Sequence, residues 1–245
     1  MKKILDAGCG RGEFAIGTLS KKGYVFGVDF SEKFISNAKR EAEKRGIKNC
    51  HFIVSALEKL PFKDDEFNEI HCYNVLEHVD DEKKSICELK RVLKKNGRIY
   101  ISVPHKKSES FLKRLDKKYF SENMHKRIFD HKYLVQYLIK NDFTVLKHKN
   151  RGFFRAVGRT LRFFLKLPFE EQSGIVYKKN IFVSSVSYID FLINSNFKTI
   201  RMDLNDKNKV YLAFPFYFLK IILTPIDFLM NFVYPAEFYI VLSKR

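Results

Sequence analysis

Ile4-Leu5-Asp6-Ala7-Gly8-Cys9-Gly10-Arg11-Gly12-Glu13 is the stretch whose reading decides the fold. A short apolar run ends in Asp6 and passes into three glycines at alternate positions. The amphipathic segment Phe14, Ala15, Ile16, Leu19 follows at once. Strand, glycine turn and helix, in that order, is how an α/β sheet brings backbone close to a cofactor, because a Cβ there collides with a ligand lying against the turn. A dinucleotide fingerprint needs its third glycine at position 13, where Glu13 stands, and Gly12 comes one residue early. No G-K-[ST] follows, so a Walker loop is excluded. Asp6 is a further departure, since an anion there repels a pyrophosphate and attracts a cationic ligand.

The 245 residues fit one domain, or one domain with a sizeable insertion, and are enough to bury a full core. The N-terminus is the glycine-loop strand itself, so no signal peptide is expected. Cys9, Cys50, Cys72 and Cys87 are scattered, without a C-x-x-C pair or a ligand-like His/Cys spacing. A reducing compartment is expected, with neither disulfides nor a metal site. The net charge of +18 is uneven: residues 106–167 hold 17 Lys/Arg against 5 Asp/Glu, whereas residues 1–105 hold 20 against 16. The basic excess therefore needs a local explanation, and nucleic acid and anionic membrane are the candidate partners.

Hydrophobic patterning continues the strand–helix alternation. Tyr24–Val28 reads as a buried parallel strand with Asp29 at its carboxyl end, 21 positions after Gly8. Ligands of open α/β sheets bind beyond those ends, and an acid there can accept hydrogen bonds from both hydroxyls of a ribose. A helix over Ser31–Arg45 ends at Gly46, and strands are expected at His51–Val54, Glu69–Tyr73, Arg98–Val103 and Phe143–Lys147. Helices are expected over Asp81–Leu93 and Tyr133–Lys140, and a last strand at Phe238–Leu242.

Four strings resemble the class I S-adenosylmethionine-dependent methyltransferases. They are the acid-x-G-x-G-x-G of Asp6–Gly12, the Leu60-Pro61-Phe62 to Phe67 run, Val75-Leu76-Glu77-His78-Val79, and the Lys94–Gly97 turn. The resemblance covers about residues 1–150 and the final strand. It implies an α/β, doubly wound, Rossmann-like sheet of seven strands, the last antiparallel beside the sixth, with a helical insertion between them. A cofactor-binding domain of 1–150 and 236–245 and an insertion of 151–235 follow. The implied cofactor is S-adenosyl-L-methionine, whose positive amine and sulfonium suit Asp6, with Gly8, Gly10 and Gly12 as the cradle. By the same resemblance Asp29 takes the ribose and Phe30 packs on the adenine, while Ser55, Ala56 and Leu57 line the adenine. Tyr73 and Asn74 face the methionine portion. Ser55 departs from the acid common at its position, which weakens that hydrogen bond.

The resemblance makes Glu77 and His78 the ionisable pair nearest the methyl group, and a histidine near its neutral pKa can serve as general base towards a hydroxyl. His105, which closes a V-P-H string, and His125, in H-K-R-I-F, are candidates for contacting the acceptor.

The insertion carries no motif of the resemblance. In Gly152–Phe169, Arg155, Arg159, Arg162 and Lys166 share one helical face, while Phe154, Val157, Leu161, Phe164 and Leu165 fall on another. That division suits an anionic bilayer surface. RNA is the less favoured partner because the aromatics segregate from the charges instead of interleaving with them. Val210–Tyr234 is strongly apolar, but Pro215, Lys220, Pro225 and Asp227 break it, so a bent hairpin in the interface or over the site is expected, not a span. With so little chain before Asp6, the insertion is the expected lid of the cofactor site. The expected function is methylation of an oxygen on a small or lipid-linked acceptor (glycolipid, polyprenyl or quinone-like), in the cytoplasm or at the inner membrane face. An RNA methyltransferase and a non-catalytic cofactor-binding module at a membrane surface are the alternatives.

Overall fold

A computed structural model describes residues 2–115, 125–151, 230 and 235–244. Among them, strands β1 (Lys3–Ala7), β2 (Tyr24–Asp29), β3 (Cys50–Val54), β4 (Phe67–Tyr73), β5 (Leu93–Pro104), β6 (Phe143–Arg151) and β7 (Glu237–Lys244) form one sheet in the order β3-β2-β1-β4-β5-β7-β6. Helices α1 (Glu13–Gly17), α2 (Glu32–Lys44), α3 (Glu82–Val92), α4 (Lys106–Leu115) and α5 (His131–Lys140) connect them. β1, β2 and β3 step outward in one direction and β4 and β5 in the other, all parallel. The reversal between β1 and β4 opens a crevice at the strands' carboxyl ends, and the glycine turn emerges there.

β7 runs antiparallel to its neighbours. Ala236 N–H donates to Arg151 O at 3.0 Å, joining the start of β7 to the end of β6. At the other end, Lys244 reaches Leu93 O at the start of β5.

The central strands read as near-continuous apolar runs because both faces are covered. Ile4, Leu5, Val25, Val28, Ile70, Ile99 and Leu242 are fully buried. Three helices start on side-chain caps, each satisfying backbone donors that the first turn leaves open. Ser31 accepts from Phe34 N–H, Asp81 from Lys83 and Lys84, and Asp130 from Lys132 and Tyr133.

Three elements depart from the sequence expectation, the simplest being β6, which continues four residues past Lys147 to Arg151. β5 begins at Leu93, which pairs with Phe67, and the register then jumps to Glu69 opposite Arg98. The Lys94–Gly97 turn is thus an irregularity inside the strand, with Asn96 at φ 61°. Helix α4 was not expected, since its charged sequence carries apolar groups only at Phe111, Leu112 and Leu115.

The chain divides into two compact units, Met1–Lys149 with Phe238–Arg245, and Asn150–Glu237. In the second, Arg151 pairs with Glu237 at 2.9 Å. The basic helix expected over 152–169, the apolar segment 210–234 apart from Met230, and the lid they were expected to form lie outside the described residues. Among the described residues no helix is long and apolar enough to cross a membrane.

Candidate active site

The turn after β1 is a cradle built from backbone. Gly8, Gly10 and Gly12 have φ of 75°, 52° and 77°, the left-handed region that L side chains rarely adopt. Their surroundings differ. A Cβ on Gly8 would lie 2.2 Å from Val75 Cγ2, and one on Gly12 2.9 Å from Ala38 Cβ and Phe52, so these two glycines let neighbouring elements close in. A Cβ on Gly10 would meet nothing within 4 Å. The space beside Gly10 is open, as a ligand lying against the turn requires.

Asp29 ties this turn to the end of β2. Its Oδ2 accepts the Gly10 N–H at 2.9 Å and its Oδ1 the Ser31 N–H at 3.0 Å. Each oxygen keeps a second lone pair, which suits a ribose diol. The neighbouring Phe30 is 67 % exposed, so its ring is available to pack against a flat apolar group.

Asp6 lies behind the cradle. Its Oδ2 is buried with no hydrogen-bond partner among the described residues. Burial first, then the charge of Asp29, pushes its carboxyl up to about 7, against a partial offset from the Ala15 backbone N–H. A buried acid with one unpaired oxygen beside an open backbone cradle fits a cationic ligand, because a fixed positive charge would restore the ionised form.

The sign of the resulting pH dependence follows. A cation prefers the charged carboxylate, so ligand affinity is full above about pH 7. It falls as pH drops further, by up to about tenfold per unit. For the ligand-free fold the sign is opposite, because the raised pKa contributes stability in acid that is lost as pH rises through about 7. Calorimetric titration of S-adenosylmethionine between pH 5.5 and 8.5 (about one and a half units either side of the carboxyl pKa) checks this. The slope should vanish in Asp6→Asn, and a pH-independent affinity in the native chain would remove Asp6 from the site.

Of the residues expected on the adenine, Ser55 Oγ is occupied locally, 3.1 Å from Ala56 O and 3.0 Å from Lys59 O. Ala56 is exposed, and Leu57 is packed in the core. At the end of β4, Tyr73 bonds the His71 ring at 2.9 Å, and Asn74 takes φ 54° with its N–H on Ser102 O.

The structure separates the expected catalytic residues by environment. His105 is buried, its Nδ1 accepts the Lys107 N–H at 3.1 Å, and its ring packs on His131 at 4.2 Å. Burial, then the neighbouring His131 and Lys107, hold its pKa down to about 3. A neutral ring committed to the start of α4 is a poor base at neutral pH.

Glu77 and His78 instead meet His125. The His78 and His125 rings stand edge to face at 4.9 Å, and His125 Nδ1 lies 2.8 Å from Glu109 Oε2. Two residues that sequence reasoning missed hold this cluster. One is Glu109, on the unexpected α4. The other is Arg127, whose guanidinium donates to Leu76 O (2.7 Å), Val79 O (2.7 Å) and Asp80 O (2.9 Å) and pairs with Glu82. With Lys126 N–H on Glu77 O at 2.8 Å, these bonds clamp the 125–127 segment to the loop after β4. Arg127→Ala should therefore cost about 2–3 kcal/mol in denaturant unfolding, with Arg127→Lys recovering only part. A loss below about 0.5 kcal/mol would show the clamp to be idle.

Sheet order, cradle and paired acids define a class I methyltransferase domain. A family model described as "Methyltransferase domain" matches residues 1–152, and the chain belongs to that family, whose cofactor is S-adenosylmethionine. A methyltransferase of Bacillus subtilis, YcgJ, is 34% identical over 103 residues, which are 42% of this chain and 40% of that protein. The ubiquinone biosynthesis O-methyltransferase of Thiobacillus denitrificans is 31% identical over 111 residues, 45% of this chain and 48% of that one. The chain thus spans less than half the length of these curated relatives. Among solved structures, the crystal structure of YcgJ superposes with a TM-score of 0.56 at 20% identity, covering 100% of this chain and 92% of that one. Geranyl diphosphate C-methyltransferase from Streptomyces coelicolor A3(2), solved with S-adenosyl-L-homocysteine, gives 0.61 at 12% identity, covering 100% and 71%. At those identities the likeness shows the fold.

Proposed function

We propose that this protein transfers a methyl group from S-adenosylmethionine to an oxygen of a small or lipid-linked acceptor. The open cradle at Gly10, bound by Asp29 and backed by the unpaired Oδ2 of Asp6, is the observation that carries the reading. When bound, the cofactor supplies an electrophilic methyl on a sulfonium. The chain's own residues supply alignment: Gly8, Gly10 and Gly12 set the turn, Asp29 fixes the ribose, and Asp6 answers the positive charge. Methyl transfer is an in-line displacement, so orienting the two partners and excluding water accounts for most of the rate.

Oxygen as the accepting atom is supported by the Glu77–His78–His125 cluster beyond the end of β4. The polar and ionisable groups gathered there can promote loss of the proton from a hydroxyl as it attacks. The O-methyltransferase name of the Thiobacillus denitrificans relative points the same way, towards a quinone-like acceptor.

An anionic membrane surface is the proposed partner, supported by the cationic and aromatic faces that the sequence of 152–169 separates. In flotation with anionic vesicles at low salt the protein should rise with the lipid, and the triple change Arg155, Arg159 and Arg162→Glu should release it. A protein that stays at the bottom of the gradient contradicts the membrane reading.

The reaction is tested by incubating the protein with methyl-labelled cofactor and lysate, then separating lipid, glycan and RNA. Label in lipid or glycan supports the proposal. Label in RNA alone would assign the basic segment to nucleic acid, and no label in any fraction would leave a cofactor-binding module.

A further inference from the structure

We propose that Glu77, His78 and His125 form a binding site for a divalent first-row transition cation, with zinc as the best-fitting probe. One ligand atom from each lies within 4.8 Å of the other two, and His78 Nε2 is already 3.9 Å from Glu77 Oε1. Zinc with bonds of about 2.0–2.2 Å puts neighbouring donor atoms roughly 3.3–3.5 Å apart, so about 1 Å of side-chain adjustment closes the set. Sequence spacing does not announce this trio. Glu77 and His78 are adjacent, but His125 comes from a segment 47 positions further on.

Three features beyond proximity point to a cation. First, two imidazoles and one carboxylate form a nitrogen/oxygen set suited to zinc, iron or manganese, whereas calcium and magnesium take oxygen ligands. Second, Glu109, almost wholly buried, lies 2.8 Å from His125 Nδ1. A proton held on Nδ1 by that carboxylate leaves the Nε2 lone pair for the metal, which is the carboxylate–histidine–metal arrangement that fixes tautomer and ring orientation. Third, the backbone is pinned. The Lys126 N–H to Glu77 O bond and the Arg127 clamp hold the two ligand-bearing segments in register, so the chain has already met the entropy of bringing the ligands together.

Three protein ligands leave at least one coordination position open, which marks a catalytic site more than a structural one. The inference rests on the proposed O-methyl transfer and gives that reaction its activating group. The acceptor hydroxyl would take the open position, and the cation lowers its pKa so that its proton passes to solvent. The resulting oxygen anion forms the O–CH₃ bond while the S–CH₃ bond breaks. The electron pair goes to sulfur, and the sulfonium becomes a neutral thioether.

The test uses the full chain, stripped with a chelator and titrated with Zn²⁺ by calorimetry. One equivalent should bind, and Glu77→Gln and His125→Ala should each abolish that binding. Glu109→Gln should retain it with affinity about 10- to 100-fold weaker. S-adenosylmethionine binding, measured in parallel, shows that each variant is folded, since the cradle shares no residue with this cluster. Co²⁺ added to the native chain provides a reading that needs no variant, and ligand-field bands free of thiolate charge transfer are expected. Zinc binding that survives both substitutions, cobalt bands with thiolate character from the cysteines, or no bound metal at all would each overturn the site. Zinc bound as described with no methyl transfer would leave the site standing and count against the reaction.

Discussion

Asp29→Ala should weaken S-adenosylmethionine binding by about 100-fold, the largest loss expected from any single side chain of the cradle. Its carboxylate accepts the Gly10 and Ser31 N–H groups, at 2.9 and 3.0 Å, and its remaining lone pairs are the ones proposed to take the ribose. Hydrogen bonds to a charged group are worth about 1.5–3 kcal/mol each, and two lost to the ligand amount to about 3 kcal/mol or more. A factor of ten accompanies each ~1.4 kcal/mol. Asp29→Asn should fall between, because the amide keeps one acceptor oxygen and places a donor where the other stood. Calorimetry measures both, and affinity in Asp29→Ala within about threefold of native would break the ribose assignment.

The second large effect divides two glycines that the sequence presents alike. Gly8→Ala puts a methyl 2.2 Å from Val75 Cγ2 at φ 75°, so overpacking adds to left-handed strain, and unfolding stability should fall by about 3–4 kcal/mol. Gly10→Ala meets no neighbour within 4 Å and carries only the backbone term, about 1 kcal/mol. Its methyl instead stands in the space assigned to the cofactor, so cofactor affinity should collapse in a protein that still folds. Denaturant unfolding and calorimetry on the pair separate the roles. Equal stability losses, or native affinity in Gly10→Ala, would contradict the cradle.

These contrasts show what was legible in the sequence. The order of strand, glycine turn and helix needs only local spacing, and so do the position of Asp29 at a strand end and the helix starts at Ser31 and Asp81. Those expectations agree with the structure to within a residue or two. The different duties of Gly8 and Gly10 were not legible, because they depend on Val75, which arrives from the far side of β4. Glu109 and Arg127 were hidden for the same reason. Each acts across the tertiary structure on residues with no fixed sequence spacing to it, and α4 itself lacks the apolar periodicity that announces a helix. β5 hid its true start because pairing of Leu93 with Phe67 outweighed the turn chemistry of Asn96-Gly97. His105 illustrates the converse: its V-P-H string attracts attention, yet the surrounding packing holds it neutral and buried.

The role of the cradle is tested most directly by a crystal structure of the protein with S-adenosyl-L-homocysteine. The ligand should lie against Gly10, with both ribose hydroxyls on the Asp29 carboxylate, the adenine against Phe30 and the amine end towards Asp6. A ligand bound elsewhere, or one in the crevice with its ribose away from Asp29, would contradict the assignment on which the proposed function rests.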